Sequence, residues 1–188
     1  MRATSRRGIL NLRKVFLAVA LGCQIAPLAM GQAQPPMDPV VKSQLKVIFP
    51  DAATFSNKQG SPAHYKVYAA APKGEEPKLL GLAWWTTELE PLERGFDGPI
   101  KMLVGMDTTG ILKGVVVTEH REPYGDFSVD TPGFAAQFKG KNIRDPFKVG
   151  MDIDAISRAS ISVTSASRAV RNSARRIARE LLTPPDKK

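Results

Sequence analysis

The sequence predicts an α+β domain in which an antiparallel β-sheet is flanked by helices. Segments with strand character lie in the middle of the 188-residue chain, and segments with helical periodicity lie toward its ends. Strands that follow one another through short turns pair antiparallel, and helices outside this group are available to cover the sheet. The apolar content of 43% and the charged content of 24% are ordinary for a globular protein. They argue against both a disordered chain and a membrane bundle.

The individual elements are predicted from hydrophobic spacing and turn residues. A short helix is expected over 40–49, ending before Pro50. Runs rich in β-branched and apolar residues, separated by Gly, Pro and Asp, predict four strands at 65–71, 79–87, 100–107 and 111–119. A helical turn is expected over 134–138. The clearest helix spans 163–182, where apolar residues recur at i, i+3 and i+4 and arginines occupy the opposite side.

The net charge of +9 is concentrated at the two ends of the chain. Residues 1–31 carry five basic and no acidic side chains, and residues 168–188 carry seven basic and two acidic ones. The segment between them has a net charge of −1. A neutral body with basic ends is not the charge distribution of a duplex-binding domain, so we expect no nucleic-acid partner.

The basic N-terminus is typical of an export signal. A basic segment leads into an apolar run that starts at Val15, and small residues at Ala29 and Gly31 fit a signal-peptidase site. Residues 1–31 are therefore predicted to be a signal peptide cleaved near Gly31, with an uncleaved membrane anchor as the alternative. The pair Arg6-Arg7 fits either a twin-arginine signal or an ordinary basic segment. A periplasmic or other extracytoplasmic location follows, with a linker over 32–44, the domain over 45–182 and a tail over 183–188.

Cysteine and histidine usage restricts the chemistry of the domain. The single cysteine, Cys23, lies inside the predicted signal peptide, so the mature domain has no thiol for disulfides, iron–sulfur clusters or haem attachment. Only His64 and His120 remain as imidazole ligands, which argues against a multi-histidine metal site. Redox chemistry in this domain would need an organic cofactor.

A hydroxyl-rich segment over 154–165 runs directly into the last predicted helix. Helix N-termini carry unpaired N–H groups and a partial positive charge, so they bind phosphate groups. The hydroxyls of Ser157, Ser160, Ser162 and Thr164 would add hydrogen bonds to such an anion. The same hydroxyls are also the usual caps of a helix, and residue types alone leave both interpretations open.

The run Asp154-Ala155-Ile156-Ser157-Arg158-Ala159-Ser160 resembles the Asp-x-x-Ser-Gly-Ala-Thr motif of FMN-binding domains. That family includes flavin subunits of sodium-pumping NADH:quinone oxidoreductase and of Rnf-type complexes. The resemblance implies FMN as cofactor, Ser160 as the hydroxyl that a flavin transferase esterifies, and Asp154, Ser157, Ala159 and Ser162 as neighbouring binding residues. Arg158 stands where the motif has Gly, and Ser160 stands where it has Thr.

A second set of matches consists of four segments that occur in order along the chain, at 94–100, 103–107, 110–111 and 119–123. Together with 134–140 they resemble the extracytoplasmic N-terminal domain of nitrous-oxide-reductase expression regulators, over roughly residues 45–180. Gly95 and Gly98 would let backbone approach a ligand, and Phe96 would cover a flavin ring. His120 and Glu122 follow a central strand, where functional loops often begin. The alternatives are a glycine-rich turn and a solvated loop.

These observations predict an FMN-carrying electron-transfer protein. Its partners would be a flavin transferase during maturation and a membrane-associated redox protein, and no catalytic residue or metal site is expected. The alternative is a non-redox sensor or accessory module that keeps the fold, with FMN bound non-covalently or absent.

Overall fold

The computed structural model describes residues 36–182 and contains a five-stranded antiparallel sheet in the order β1-β2-β3-β4-β5. Helices pack against the sheet, so the predicted α+β class with flanking helices is confirmed. The predicted signal peptide, the start of the linker and the tail lie outside the described residues. Within 36–182, no helix is long and apolar enough to cross a membrane.

The strands occupy the central part of the chain. Their bounds are Thr54–Phe55 for β1, Tyr65–Tyr68 for β2, Leu79–Trp85 for β3, Lys101–Asp107 for β4 and Leu112–Glu119 for β5. The four predicted strands are present, and β1 was missed because its two residues are too short to show a pattern. The helices are α1 (Pro39–Ile48), α2 (Thr86–Leu89), α3 (Pro132–Ala136) and α4 (Ser160–Ile177), and α4 continues as a π-helical turn over Ala178–Leu182.

Strand β3 ends two residues earlier than predicted because Thr86 leaves the sheet to begin α2. The buried hydroxyl of Thr86 donates to the carbonyl of Ile100 at 3.3 Å and accepts the N–H of Met102 at 3.0 Å. A side chain here makes the hydrogen bonds that a continuing strand would have made with its backbone. The start of β4 is held in place by these bonds.

Helix α1 begins at Pro39, inside the segment predicted as linker. The carboxylate of Asp38 accepts the N–H of Val40 at 2.8 Å and so caps the helix. Leu45 and Ile48 are buried against the sheet. Residues 39–44 are therefore helical and not linker, because the cap and the buried face fix this segment on the folded body.

The sheet has a packed layer on each face. Along β3, Leu82 and Trp84 join the larger core cluster with α3 and α4, whereas Ala83 and Trp85 join the smaller cluster with α1. This alternation follows from the period of two along a strand. The larger cluster is the one that supports α4.

Helix α4 begins at Ser160, three residues before the predicted start, and runs along the larger core cluster. Its arginines hold neighbouring segments. Arg168 pairs with Glu93 at 3.0 Å, and Arg175 donates to the carbonyls of Ile143 at 2.8 Å and Asp145 at 2.9 Å. The basic side of the helix thus anchors two loops to it.

Candidate functional site

Three connections meet at the N-terminus of α4. They are the loop between α2 and β4, the residues after β5, and the segment that leads into α4. A pocket of about 280 Å³ lies between them. Its walls are formed by Phe96, Pro123, Tyr124, Arg158, Ala159, Ser160, Ile161 and Ser162.

The pocket contains only part of the predicted site. Of the ten predicted residues, four line it: Phe96, Ala159, Ser160 and Ser162. Gly95, Gly98, His120 and Glu122 lie in the connections that build its walls, while Asp154 and Ser157 are exposed in the segment before α4. The other four lining residues, Pro123, Tyr124, Arg158 and Ile161, were missed. An apolar residue inside the hydroxyl-rich run is the sequence signal that would have indicated Ile161.

Aromatic and apolar side chains around the pocket are exposed to solvent. Phe96 is 68% exposed, Tyr124 is 47% exposed and Ile161 is 57% exposed. Large apolar side chains grouped on a surface cleft are typical of a ligand site. The exposure of Phe96 agrees with its predicted role of covering a flat ring and not with a core position.

Glu122 holds the three connections together. Its side chain is buried, and its carboxylate accepts the N–H groups of Phe96 at 2.9 Å and Asp97 at 3.1 Å. It also accepts a short hydrogen bond from the hydroxyl of Ser162 on α4. Hydrogen bonds to an ionised acceptor are about twice as strong as neutral ones. Glu122 is thus placed as the internal support of the pocket, and its oxygens face protein donors.

The position of the Glu122 carboxylate requires a glycine at residue 95. A Cβ atom at Gly95 would collide with both oxygens of Glu122. The N–H of Gly95 bonds the carbonyl of Gly98 at 2.7 Å, and Gly98 has a φ of 121°, which L side chains rarely adopt. The two glycines therefore shape the loop that presents Phe96.

His120 orients the backbone of Glu122. Its Nδ1 accepts the N–H of Glu122 at 3.1 Å, so the ring proton lies on Nε2, which bonds Asp130 at 2.8 Å. A Cβ at Gly125 would overlap the imidazole ring. Both ring nitrogens thus have protein partners, which gives His120 a supporting position behind the pocket.

The N-terminus of α4 has no side-chain cap. Ala159 occupies the N-cap position, and the hydroxyl of Ser162 is directed to Glu122 instead of to the backbone. Ser160 is the first helical residue and is exposed. The structure therefore does not use the serines in the way the capping interpretation expected.

Backbone contacts fix the segment that leads to Ser160. The N–H of Asp154 donates to the side-chain oxygen of Gln137 at 2.6 Å. Asp152 accepts the N–H groups of Phe147 at 3.0 Å and Lys148 at 2.6 Å, and it pairs with Lys141 at 3.1 Å. Partial burial opposes its ionisation, but these hydrogen bonds outweigh it and hold the pKa of Asp152 below its ordinary value.

Arg158 adopts a backbone conformation that favours glycine. Its φ is 65°, in the left-handed region where a Cβ atom is unfavourable. The family motif has glycine at this position, so the chain keeps the turn geometry while carrying an arginine side chain. Arg158 is one of the residues that line the pocket, together with Ser160.

A comparison with protein families identifies a known domain that includes this pocket. Residues 95–175 match the model of the FMN-binding domain. The match runs from the Phe96 loop through β4, β5 and α3 and covers most of α4, so it includes every wall of the pocket. A search of curated proteins finds no match for the chain.

The pocket fits the chemistry of FMN. FMN combines a flat aromatic ring system with a phosphate group. The exposed side chains of Phe96, Tyr124 and Ile161 suit the ring, and the uncapped start of α4, with the Ser160 hydroxyl, suits the phosphate. Residues 95–175 therefore match an FMN-binding domain, a flavin-binding module whose cofactor is FMN.

Proposed function

We propose that this protein is an exported electron carrier that holds FMN through a phosphoester to Ser160. The observation that carries the proposal is the position of Ser160. Ser160 lines the pocket and is the exposed first residue of a helix whose N-terminus has no side-chain cap. A hydroxyl that is to be esterified by another enzyme must be accessible and must lie beside a phosphate-binding surface.

The attachment needs a donor in which the FMN phosphate already forms a phosphoanhydride, such as a flavin dinucleotide. The oxygen of Ser160 forms the new bond to the flavin-side phosphorus, and the anhydride P–O bond breaks. The hydroxyl proton is released and a nucleoside monophosphate leaves, with no change in oxidation state. No titratable side chain among residues 36–182 makes a hydrogen bond to the Ser160 hydroxyl, so a flavin transferase would supply the base.

The protein's own residues bind and position the cofactor. Bound FMN supplies reversible uptake of one or two electrons. Phe96 and Tyr124 offer aromatic faces to the ring, Glu122 fixes the loops that carry them, and the start of α4 binds the phosphate. The open rim lets a redox partner approach the site. We propose that this partner is a respiratory or maturation protein at the membrane.

Covalent attachment is tested by producing the chain together with a flavin transferase and examining it in a denaturing gel. The wild-type band should show flavin fluorescence, and Ser160→Ala should remove it. Thr108→Ala is the control, because Thr108 is an exposed residue with a hydroxyl in the turn between β4 and β5, outside the motif and the pocket. It should keep the fluorescence.

A dark wild-type band would contradict the covalent bond, and a fluorescent Ser160→Ala band would contradict the assignment of Ser160. Flavin absorbance that is lost on denaturation would instead indicate non-covalent FMN. A protein that takes up no flavin at all would favour the non-redox accessory module.

The proposed location rests on the export pattern of residues 1–31. In fractionated cells, we expect the chain in the extracytoplasmic fraction with Gln32 as its first residue, as determined by intact mass. A membrane-bound chain that retains the N-terminal segment would indicate an anchor. A full-length chain in the cytoplasm would contradict export.

A further inference from the structure

We propose that Arg158 is the specificity-determining residue that makes this pocket select phosphorylated flavin over riboflavin. The inference deepens the proposed function, because it concerns how FMN is recognised before any bond to Ser160 forms. It does not depend on the covalent bond itself. Three features of Arg158 carry it: its backbone conformation, the place of its side chain and the charges around it.

The backbone of Arg158 indicates that the side chain has a use. With a φ of 65°, this residue lies in the left-handed region, which glycine adopts without steric cost and which is disfavoured for a residue with a Cβ atom. Such conformations are retained where the surrounding structure or the function demands them. The pocket wall at this turn would be equally well formed by glycine, so folding does not explain the arginine.

Arg158 lines the same pocket as Ser160, two residues away. It is exposed, and no carboxylate within residues 36–182 forms an ion pair with it. Two arginines of α4, by contrast, have protein partners. Arg168 is paired with Glu93 and Arg175 is bound to two backbone carbonyls. Arg158 is thus a guanidinium at the pocket with its donors available.

The charges at this place suit a phosphate group. A phosphate at the start of α4 would meet first-turn N–H groups and the positive end of the helix dipole. A guanidinium adds two parallel, charge-assisted hydrogen bonds to a phosphate, which an ammonium or an amide cannot match in geometry. Riboflavin has the same ring but no phosphate, so Arg158 would contribute nothing to its binding.

The test uses the full chain produced without a flavin transferase, so that flavin binds only non-covalently. FMN and riboflavin are each titrated into the protein, and the dissociation constants are determined from the quenching of flavin fluorescence. The variants are Arg158→Gly, Arg158→Gln and Arg158→Lys. Arg144→Gln is the charge-matched control, because Arg144 is exposed and lies in a different hollow.

We expect Arg158→Gly and Arg158→Gln to weaken FMN binding by roughly tenfold or more, the usual effect of losing a hydrogen bond between charged groups. Riboflavin binding should be unchanged, Arg158→Lys should lie in between, and Arg144→Gln should behave as wild type. Arg158→Gly should also keep or raise the melting temperature, because glycine suits a φ of 65°. That result would separate the binding defect from a folding defect.

An unchanged preference for FMN in Arg158→Gly and Arg158→Gln would overturn the inference. So would a wild-type protein that binds FMN no better than riboflavin, because Arg158 would then have no phosphate to recognise. The gel experiment on Ser160 is independent of both results. Loss of the covalent bond and loss of phosphate selection can therefore be told apart.

Discussion

Replacing Glu122 by alanine is expected to lower the free energy of unfolding by about 3 kcal/mol and to remove flavin from the protein. The carboxylate accepts hydrogen bonds from two backbone N–H groups, of Phe96 and Asp97, and from the hydroxyl of Ser162. The variant leaves the buried Ser162 hydroxyl and the two partly buried N–H groups without this acceptor. Because the Phe96 loop and the start of α4 then lose their common partner, the pocket should lose its shape.

The change in stability is measured by urea unfolding, and flavin content is measured on the same preparations. Glu119→Ala is the matched control, since Glu119 is three residues away and forms an exposed ion pair with Lys101 at 2.6 Å. Exposed pairs contribute about 0–1 kcal/mol. Equal losses in the two variants would contradict the supporting role of Glu122, as would normal flavin content in Glu122→Ala.

Alanine at Gly95 is expected to destabilise the protein by about 2 kcal/mol, which is a typical cost of overpacking. The added Cβ would collide with the carboxylate of Glu122. A free glutamate on the surface would simply move aside. This one is buried and holds three donors, so it can move only by giving up hydrogen bonds.

Two comparisons test whether the collision with Glu122 is what destabilises the Gly95→Ala variant. A Cβ at Gly133 meets no atom within 4 Å, so Gly133→Ala should be neutral or slightly stabilising. In the Glu122→Ala background the space beside Gly95 is free, so Gly95→Ala should there cost much less than in the wild type. If the losses of stability caused by Gly95→Ala and by Glu122→Ala simply add in the double variant, the collision with Glu122 does not cause the destabilisation by Gly95→Ala.

The sheet could be predicted from the sequence because its signals are local. The strands at 79–87, 100–107 and 111–119 are long, apolar and separated by turn residues, and β3, β4 and β5 appear at these places. The elements that were missed, β1 and α2, have two and four residues. Elements of that length show no periodicity, and tertiary hydrogen bonds such as those of Thr86 define them.

The start of α4 was misplaced for a different physical reason. Serine has a weak helix propensity and caps helices well, so the serines were assigned to a turn before residue 163. In the structure Ser160 is the first residue of the helix, and Ser162 lies in its first turn, where its hydroxyl donates to Glu122.

The pocket could be predicted only in part. The motif over 154–160 indicated Ser160, and the loop over 94–100 indicated Phe96. The central position of Glu122 could not be read from one sequence, because it depends on contacts between segments that come together only in the folded chain. For the same reason the contacts of the two His120 nitrogens with Glu122 and Asp130 could not be predicted from one sequence.

The hydrogen bonds of Glu122 also bear on whether flavin can be attached before or only after the chain has folded. They join residues that are 25, 26 and 40 positions apart in the chain, so the pocket does not exist in an unfolded or partly synthesised polypeptide. Ser160 itself would be accessible at every stage. An enzyme that recognises only the short motif would accept a nascent chain, whereas one that needs the assembled pocket would act as a checkpoint for completed folding.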